Sequence, residues 1–221
     1  MLLSWADDVL CATPELSVRG PARGPYVQMA AVLCVFGILY GGVMGSYSGI
    51  FGQRYLQMVY SGVKVPLLLT VTFGLSLPFF FVVNSLYGLR PDFGRVLGAL
   101  LATQAGVTII LASLSPLTLL WYVSFENYQA AILFNAVMFG AASVGAQLVL
   151  KRLYRPLIAR NPMHLRLLRL WVVIYAFVGI QMGWVLRPFI GSPDSPVQFF
   201  RDGAWGNAYL KLYEIAMSVF H

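Results

Sequence analysis

Charge is what this sequence has least of. Asp, Glu, Lys and Arg make up 10% of its 221 residues, where a soluble domain carries about 25%. That shortage excludes a water-soluble globule, whose exterior needs polar surface. Cysteine is scarce: Cys11 and Cys34 stand apart, with no CxxC and no histidine beside either, which excludes a disulfide framework and a zinc site. Histidine is confined to His164 and His221. Membrane haem and chlorophyll proteins place ligand histidines within their helices, so this chain is not expected to hold a haem by itself. Carboxylates do not form a pair: Asp7 and Asp8 adjoin, Asp194 and Asp202 fall in a late loop, and Glu126 stands alone. The GSYSG run at 45–49 carries Tyr47 where a serine nucleophile would stand, and no histidine lies in an apolar stretch to activate it. With these residues missing, the expectation is a protein that is not an enzyme and has no metal or resident cofactor.

What the chain does have is apolar length. It is 59% hydrophobic, its mean hydropathy is +0.74, and stretches free of Asp, Glu, Lys, Arg and His cover 26–51, 65–89, 96–121, 128–150 and 170–186. Each is long enough to cross a bilayer as a helix. Unbroken runs rather than ten-residue alternation select helices over a barrel. The expected fold is all-α, a polytopic integral membrane bundle of five transmembrane helices plus a C-terminal amphipathic interfacial helix. The expected divisions are a cytoplasmic segment 1–25, a five-helix domain 26–190, and an extracytoplasmic loop and helix at 191–221. The opening MLLSWADDVL has no basic n-region, so it does not read as a signal peptide and the first span is expected to direct insertion.

Lys and Arg set the orientation. Two precede span 1, two follow span 2 and six follow span 4, ten in all; only two follow span 1, none follows span 3 and three follow span 5. The N-terminus is therefore expected in the cytoplasm of a bacterial inner membrane and the C-terminus outside. The net charge of +7 would suggest nucleic acid in a soluble protein. Here Lys151, Arg152, Arg155, Arg160, Arg166 and Arg169 cluster between two spans, as in a cytoplasmic loop that binds anionic lipid head groups or docks an acidic partner. Nucleic acid is not an expected partner.

Prolines and polar spacing refine the spans. Span 3 read to Trp121 exceeds the roughly 30 Å core, and Pro116 is expected to end the helix near Ser113, leaving 117–122 as an interfacial turn. Pro78 should kink span 2, and Pro66 should sit in its first turn. In the tail, Asn207, Lys211, Glu214 and Ser218 lie at offsets 0, 4, 7 and 11, one polar stripe on an apolar helix.

Small residues form the most regular pattern. Gly37, Gly41, Gly45 and Gly49 recur every four residues in span 1, Gly94, Gly98, Ala102 and Gly106 repeat the spacing in span 3, and Ala136/Gly140 and Ala141/Gly145 give shorter pairs in span 4. Such ridges allow close backbone approach. They serve either packing within the bundle or a seam for another chain's helix or for a lipid or pigment tail. Intramembrane polar residues include Asn84, Gln104, Asn135, Gln147 and Gln181, read as interhelical hydrogen bonders, with Gln104 and Asn135 the expected pair. No ionisable residue lies inside a span, which argues against a pump or proton-coupled transporter.

The run KVPLLLT at 64–70, with Pro78, Asn84 and Gly88, then Ser115-Pro116 and Asn127-Tyr128 ahead of a small-residue helix, resembles the bacterial relatives of the Yip1 superfamily over about residues 27–150. That resemblance implies five spans and a cytoplasmic N-terminus, and supplies no catalytic residues and no substrate; eukaryotic members are linked to membrane trafficking. Three functional classes stay open. The first is a non-enzymatic accessory or scaffold subunit that packs against other membrane chains or copies of itself. The second is a channel or small-solute transporter. The third is an accessory chain of a photosynthetic or respiratory assembly that makes lipid, chlorophyll or quinone contacts.

Overall fold

The computed structural model describes residues 2–11, 23–49, 54–192, 196–201 and 205–210. In chain order its helices are α1 (Leu2–Leu10), α2 (Arg23–Gly45), α3 (Tyr55–Leu86), α4 (Phe93–Ser113), α5 (Ser115–Ser124), α6 (Tyr128–Arg160) and α7 (Met163–Val185), and the described residues contain no strand. Five of them, α2, α3, α4, α6 and α7, are long and apolar enough to cross a membrane. The protein is an all-α, multi-pass membrane bundle.

Successive long helices run antiparallel. Gly37, Gly41 and Gly45 of α2 face Pro66, Ser61–Gly62 and Met58 of α3, and Phe80 and Thr72 of α3 face Trp171 and Gly179 of α7. Gly145 of α6 lies against Ile110 of α4. The connections α3–α4 and α6–α7 therefore share one end with α1, here the N-side. The connection α2–α3, the short α5 and the chain after α7 share the other end. Helix α4 is the hub: 72% of its most apolar window is buried, against 22% to 44% in the other four. An apolar cluster on the N-side joins Val96, Leu100, Tyr154, Leu167 and Trp171. A second, nearer the other end, joins Tyr40, Met44, Leu111, Met138 and Ile190.

Several boundaries differ from the sequence expectation. Helix α4 does end at Ser113, but Pro116 then sits in the first turn of α5, so 117–122 is helical rather than a turn. Helix α3 begins ten residues ahead of its apolar run, so Lys64 and Pro66 lie well inside it and the helix continues through both Pro66 and Pro78. Gly37 of α2 lets that helix approach the proline closely, since a Cβ on Gly37 would stand 3.3 Å from the Pro66 ring. The basic segment 151–169 is not a loop. Helix α6 carries on to Arg160, and only Asn161 and Pro162 separate it from α7, with Asn161 Oδ1 accepting from the Met163 amide at 2.9 Å. The reason is a face that hydropathy windows average away: Lys151, Arg152, Arg155, Arg160, Arg166 and Arg169 are exposed, while Leu153, Tyr154, Leu157, Leu167 and Leu168 between them are buried. Of the expected tail helix, Ala208, Tyr209 and Leu210 are helical; Lys211, Glu214 and Ser218 lie outside the described residues.

Candidate functional site

Three polar groupings stand out. The first begins on α3, where Gln57, Ser61 and Lys64, at offsets 0, 4 and 7, form a fully buried polar face. The chain leaving α7 lays its carbonyls across that face. Lys64 Nζ donates to Pro188 O at 2.7 Å and sits 4.8 Å from the Phe199 ring centroid. Gln57 Nε2 donates to Phe189 O at 3.3 Å and to Ser61 Oγ at 3.1 Å, and Ser61 Oγ donates to Phe189 O. Tyr128 OH, at the start of α6, donates to Ile190 O at 3.1 Å, and Arg54 Nη1 donates to Ser192 O at 3.2 Å. A helix end leaves its last carbonyls without intrahelical partners. The strap 188–192 beyond that end also carries carbonyls that need donors in a low-dielectric setting, and five side chains supply them: Arg54 ahead of α3, Gln57, Ser61 and Lys64 on α3, and Tyr128 on α6.

This strap shapes two adjoining cavities. One, of about 240 Å³, has a mixed polar and apolar lining that includes Arg54, Gln57, Tyr128, Ser192, Gln198 and Arg201. The other, of about 490 Å³, is apolar and lies among Met44, Ile132, Ala136, Phe139, Trp184 and Phe189, with Asn135, Arg187 and Arg201 also on its wall. Tyr128, Pro188 and Arg201 belong to both. Arg201 N donates to Arg187 O at 3.3 Å, which brings the two arginines to the junction. The Arg187 guanidinium stacks 3.3 Å from the Trp184 ring centroid, and its buried Nε has no hydrogen-bond partner. Desolvation and the neighbouring Arg201 charge hold the Arg187 pKa below the usual arginine value. No Asp or Glu is among the described residues lining either cavity; Asp194 and Asp202 lie outside the described residues.

A second grouping is internal. Asn135 accepts from Tyr40 OH at 3.0 Å and donates to Tyr122 OH at 2.7 Å and to Ala131 O at 2.8 Å. Gln104 instead accepts from Tyr175 OH at 2.6 Å. The expected Gln104–Asn135 pair does not form, because Gln104 lies midway along α4 whereas Asn135 is only two turns into a 33-residue α6, so they sit at different depths. Gln181 bridges to the chain after α7, donating to Gly206 O at 3.1 Å and accepting from the Ala208 amide at 3.0 Å. Asn84 is buried with its side-chain amide unpartnered, and Gln147 is half-buried.

The third grouping ties the N-side connections together. The Asp92 carboxylate lies 3.0 Å from Arg95, 3.8 Å from Arg160 and 3.4 Å from His164 Nε2. Among the described residues no three His, Cys, Asp or Glu side chains gather as metal ligands.

The small-residue ridges divide. Gly37, Gly41 and Gly45 are filled by α3 of the same chain, whereas Gly49 leaves that face as the exposed C-cap of a 3-10 turn, at φ 111°. Gly98, Ala102 and Gly106 are buried in α4, with a Cβ on Gly106 reaching the Ala146 methyl at 3.9 Å, while Gly94 is exposed with nothing within 4 Å. Ala136 and Gly140 are exposed. Sequence reading placed Arg54 and Lys64 in a connection and so missed the polar face of α3; the Gln57–Ser61–Lys64 spacing was the available signal. Comparison with family models, curated proteins and solved structures returns no match.

Proposed function

We propose that the protein is a non-enzymatic accessory subunit of a bacterial inner-membrane assembly, with its N-side in the cytoplasm, and that it holds an amphiphile at the opposite end of its bundle. One observation carries this reading: an apolar cavity bordered by α6 and the end of α7 adjoins a mixed one lined by Arg54 and Arg201, with Tyr128, Pro188 and Arg201 shared. An apolar concavity with a few convergent polar groups suits a molecule with a head and a tail. The ten-to-five distribution of basic residues supports the orientation, and the five-span topology accords with the Yip1-like resemblance. Contrary to the expectation of spans without ionisable residues, Lys64 is buried within α3, but it donates to the Pro188 carbonyl, and Asn135, Tyr40 and Tyr122 bond to one another, a fixed pairing that favours packing over a proton or ion path.

Purification in mild detergent followed by mass spectrometry of co-eluting chains and lipids tests this. Partner subunits and a stoichiometric amphiphile are expected. A lone monomer without bound amphiphile, or a protein that alone conducts ions or moves a solute in vesicles, overturns the reading.

A further inference from the structure

We infer that the head group of this ligand is a lipid-borne phosphate, recognised by Arg187 and Arg201, with the tail in the cavity beside α6. The inference rests on the amphiphile reading and specifies its chemistry. Its first support is how the donors are spent. Tyr128 already donates to Ile190 O, and Asn135 already donates to Tyr122 and Ala131. Lys64 and Gln57 already donate to Pro188 O and Phe189 O. Of the polar groups on the apolar wall, the two guanidiniums and the Trp184 indole N–H remain, and both Arg187 Nε and Trp184 Nε1 are buried without a partner.

The second support is charge. The backbone hydrogen bond from Arg201 N to Arg187 O keeps the two arginines adjacent, and desolvation, followed by the Arg201 charge, disfavours the charged form of Arg187. A neutral head, such as a quinone carbonyl, would leave both guanidiniums without an anionic partner among the described residues at the mouth of a low-dielectric groove. A phosphate oxygen cluster compensates both and matches the forked donor geometry of arginine. The third support is placement. The Arg187 guanidinium sits over the Trp184 ring, and both line the apolar cavity, so an anion bound there has its tail beside Met44, Ile132, Ala136 and Phe139 rather than in water.

The test uses the full chain in a neutral maltoside micelle, titrated with short-chain phosphatidate whose acyl chains carry bromine, a quencher of tryptophan emission. The signal assigned to the site is the part lost in Trp184→Phe. Saturable quenching by phosphatidate is expected, with the equivalent brominated diacylglycerol binding about tenfold or more weakly. Arg201→Gln and Arg187→Gln should each weaken phosphatidate about tenfold and leave diacylglycerol unchanged, and Arg166→Gln, at the other end of the bundle, should change neither. Ala136→Phe, at an exposed position on the groove wall, should block both lipids without altering the melting temperature. Arg201 is exposed, so its variant tests recognition rather than folding. Equal binding of diacylglycerol and phosphatidate overturns the phosphate inference and leaves the amphiphile reading standing. Inorganic phosphate that competes at the same concentration as the lipid shows an anion site that does not use the groove, which overturns both the lipid source and the amphiphile reading. Absence of Trp184-dependent quenching by either lipid overturns both.

Discussion

Lys64 Nζ lies 2.7 Å from the carbonyl oxygen of Pro188, 124 residues further along the chain. A lysine fully buried in the third turn of a membrane helix is costly unless its charge meets acceptors. Here the carbonyl and the Phe199 ring supply them, and the strap after α7 is in turn fixed to α3.

Lys64→Met should therefore destabilise the protein by about 1–3 kcal/mol, since the Pro188 carbonyl loses its lysine donor in a buried setting. Melting in detergent, read by circular dichroism, checks this. An unchanged melting temperature would mean that the strap is held without the lysine.

The α2–α3 contact predicts a sharp split among glycines. A Cβ on Gly41 would stand 2.9 Å from Gly62 Cα, and one on Gly45 2.7 Å from Met58 Cα, whereas Gly74 and Gly140 have nothing within 4 Å. Gly41→Leu and Gly45→Leu should lower stability by about 1–3 kcal/mol or prevent assembly of the bundle. Gly74→Leu and Gly140→Leu should migrate and melt as the parent does. Four variants with the same behaviour would contradict this packing.

Asn135 joins α2, α5 and α6 through Tyr40 and Tyr122. Hydrogen bonds between membrane helices average about 0.6 kcal/mol and reach about 1.7. Asn135→Leu, which breaks the bonds to both tyrosines, should be worse than Tyr122→Phe, which leaves the Tyr40–Asn135 bond in place. Chemical denaturation in mixed micelles ranks them, and the reverse order would place the stabilisation in the Tyr122–Met44 carbonyl bond instead.

The orientation is open to a direct measurement. A reporter that matures only outside the cytoplasm, fused after His221, should be active, and one fused at the α6–α7 turn should be silent, because ten of the basic residues belong to that side. The opposite pattern would invert the protein and place the arginine-lined cavity in the cytoplasm.

The sequence by itself determined the class of fold: hydropathy is a local sum, and five runs without charge have only one solution in lipid, a helix each. It also determined the end of α4, because Pro116 removes a donor and clashes with the preceding turn. Tertiary structure decided the rest. Whether Gly37, Gly41 and Gly45 face lipid or α3 depends on which helix neighbours which, and spacing carries no such information. Lys64 reads as a loop residue from hydropathy, because an isolated charge ends an apolar run. It became a buried helical residue because a carbonyl from the far end of the chain satisfies it. The pairing of Gln104 with Tyr175 and of Asn135 with Tyr40 and Tyr122 was fixed by the depth of each residue along its helix, which depends on true helix ends rather than on the limits of apolar runs. The meeting of Arg187 with Arg201 needed a chain that leaves α7, crosses the ends of α3 and α6, and returns. That path is set by long-range hydrogen bonds, and no local pattern encodes it.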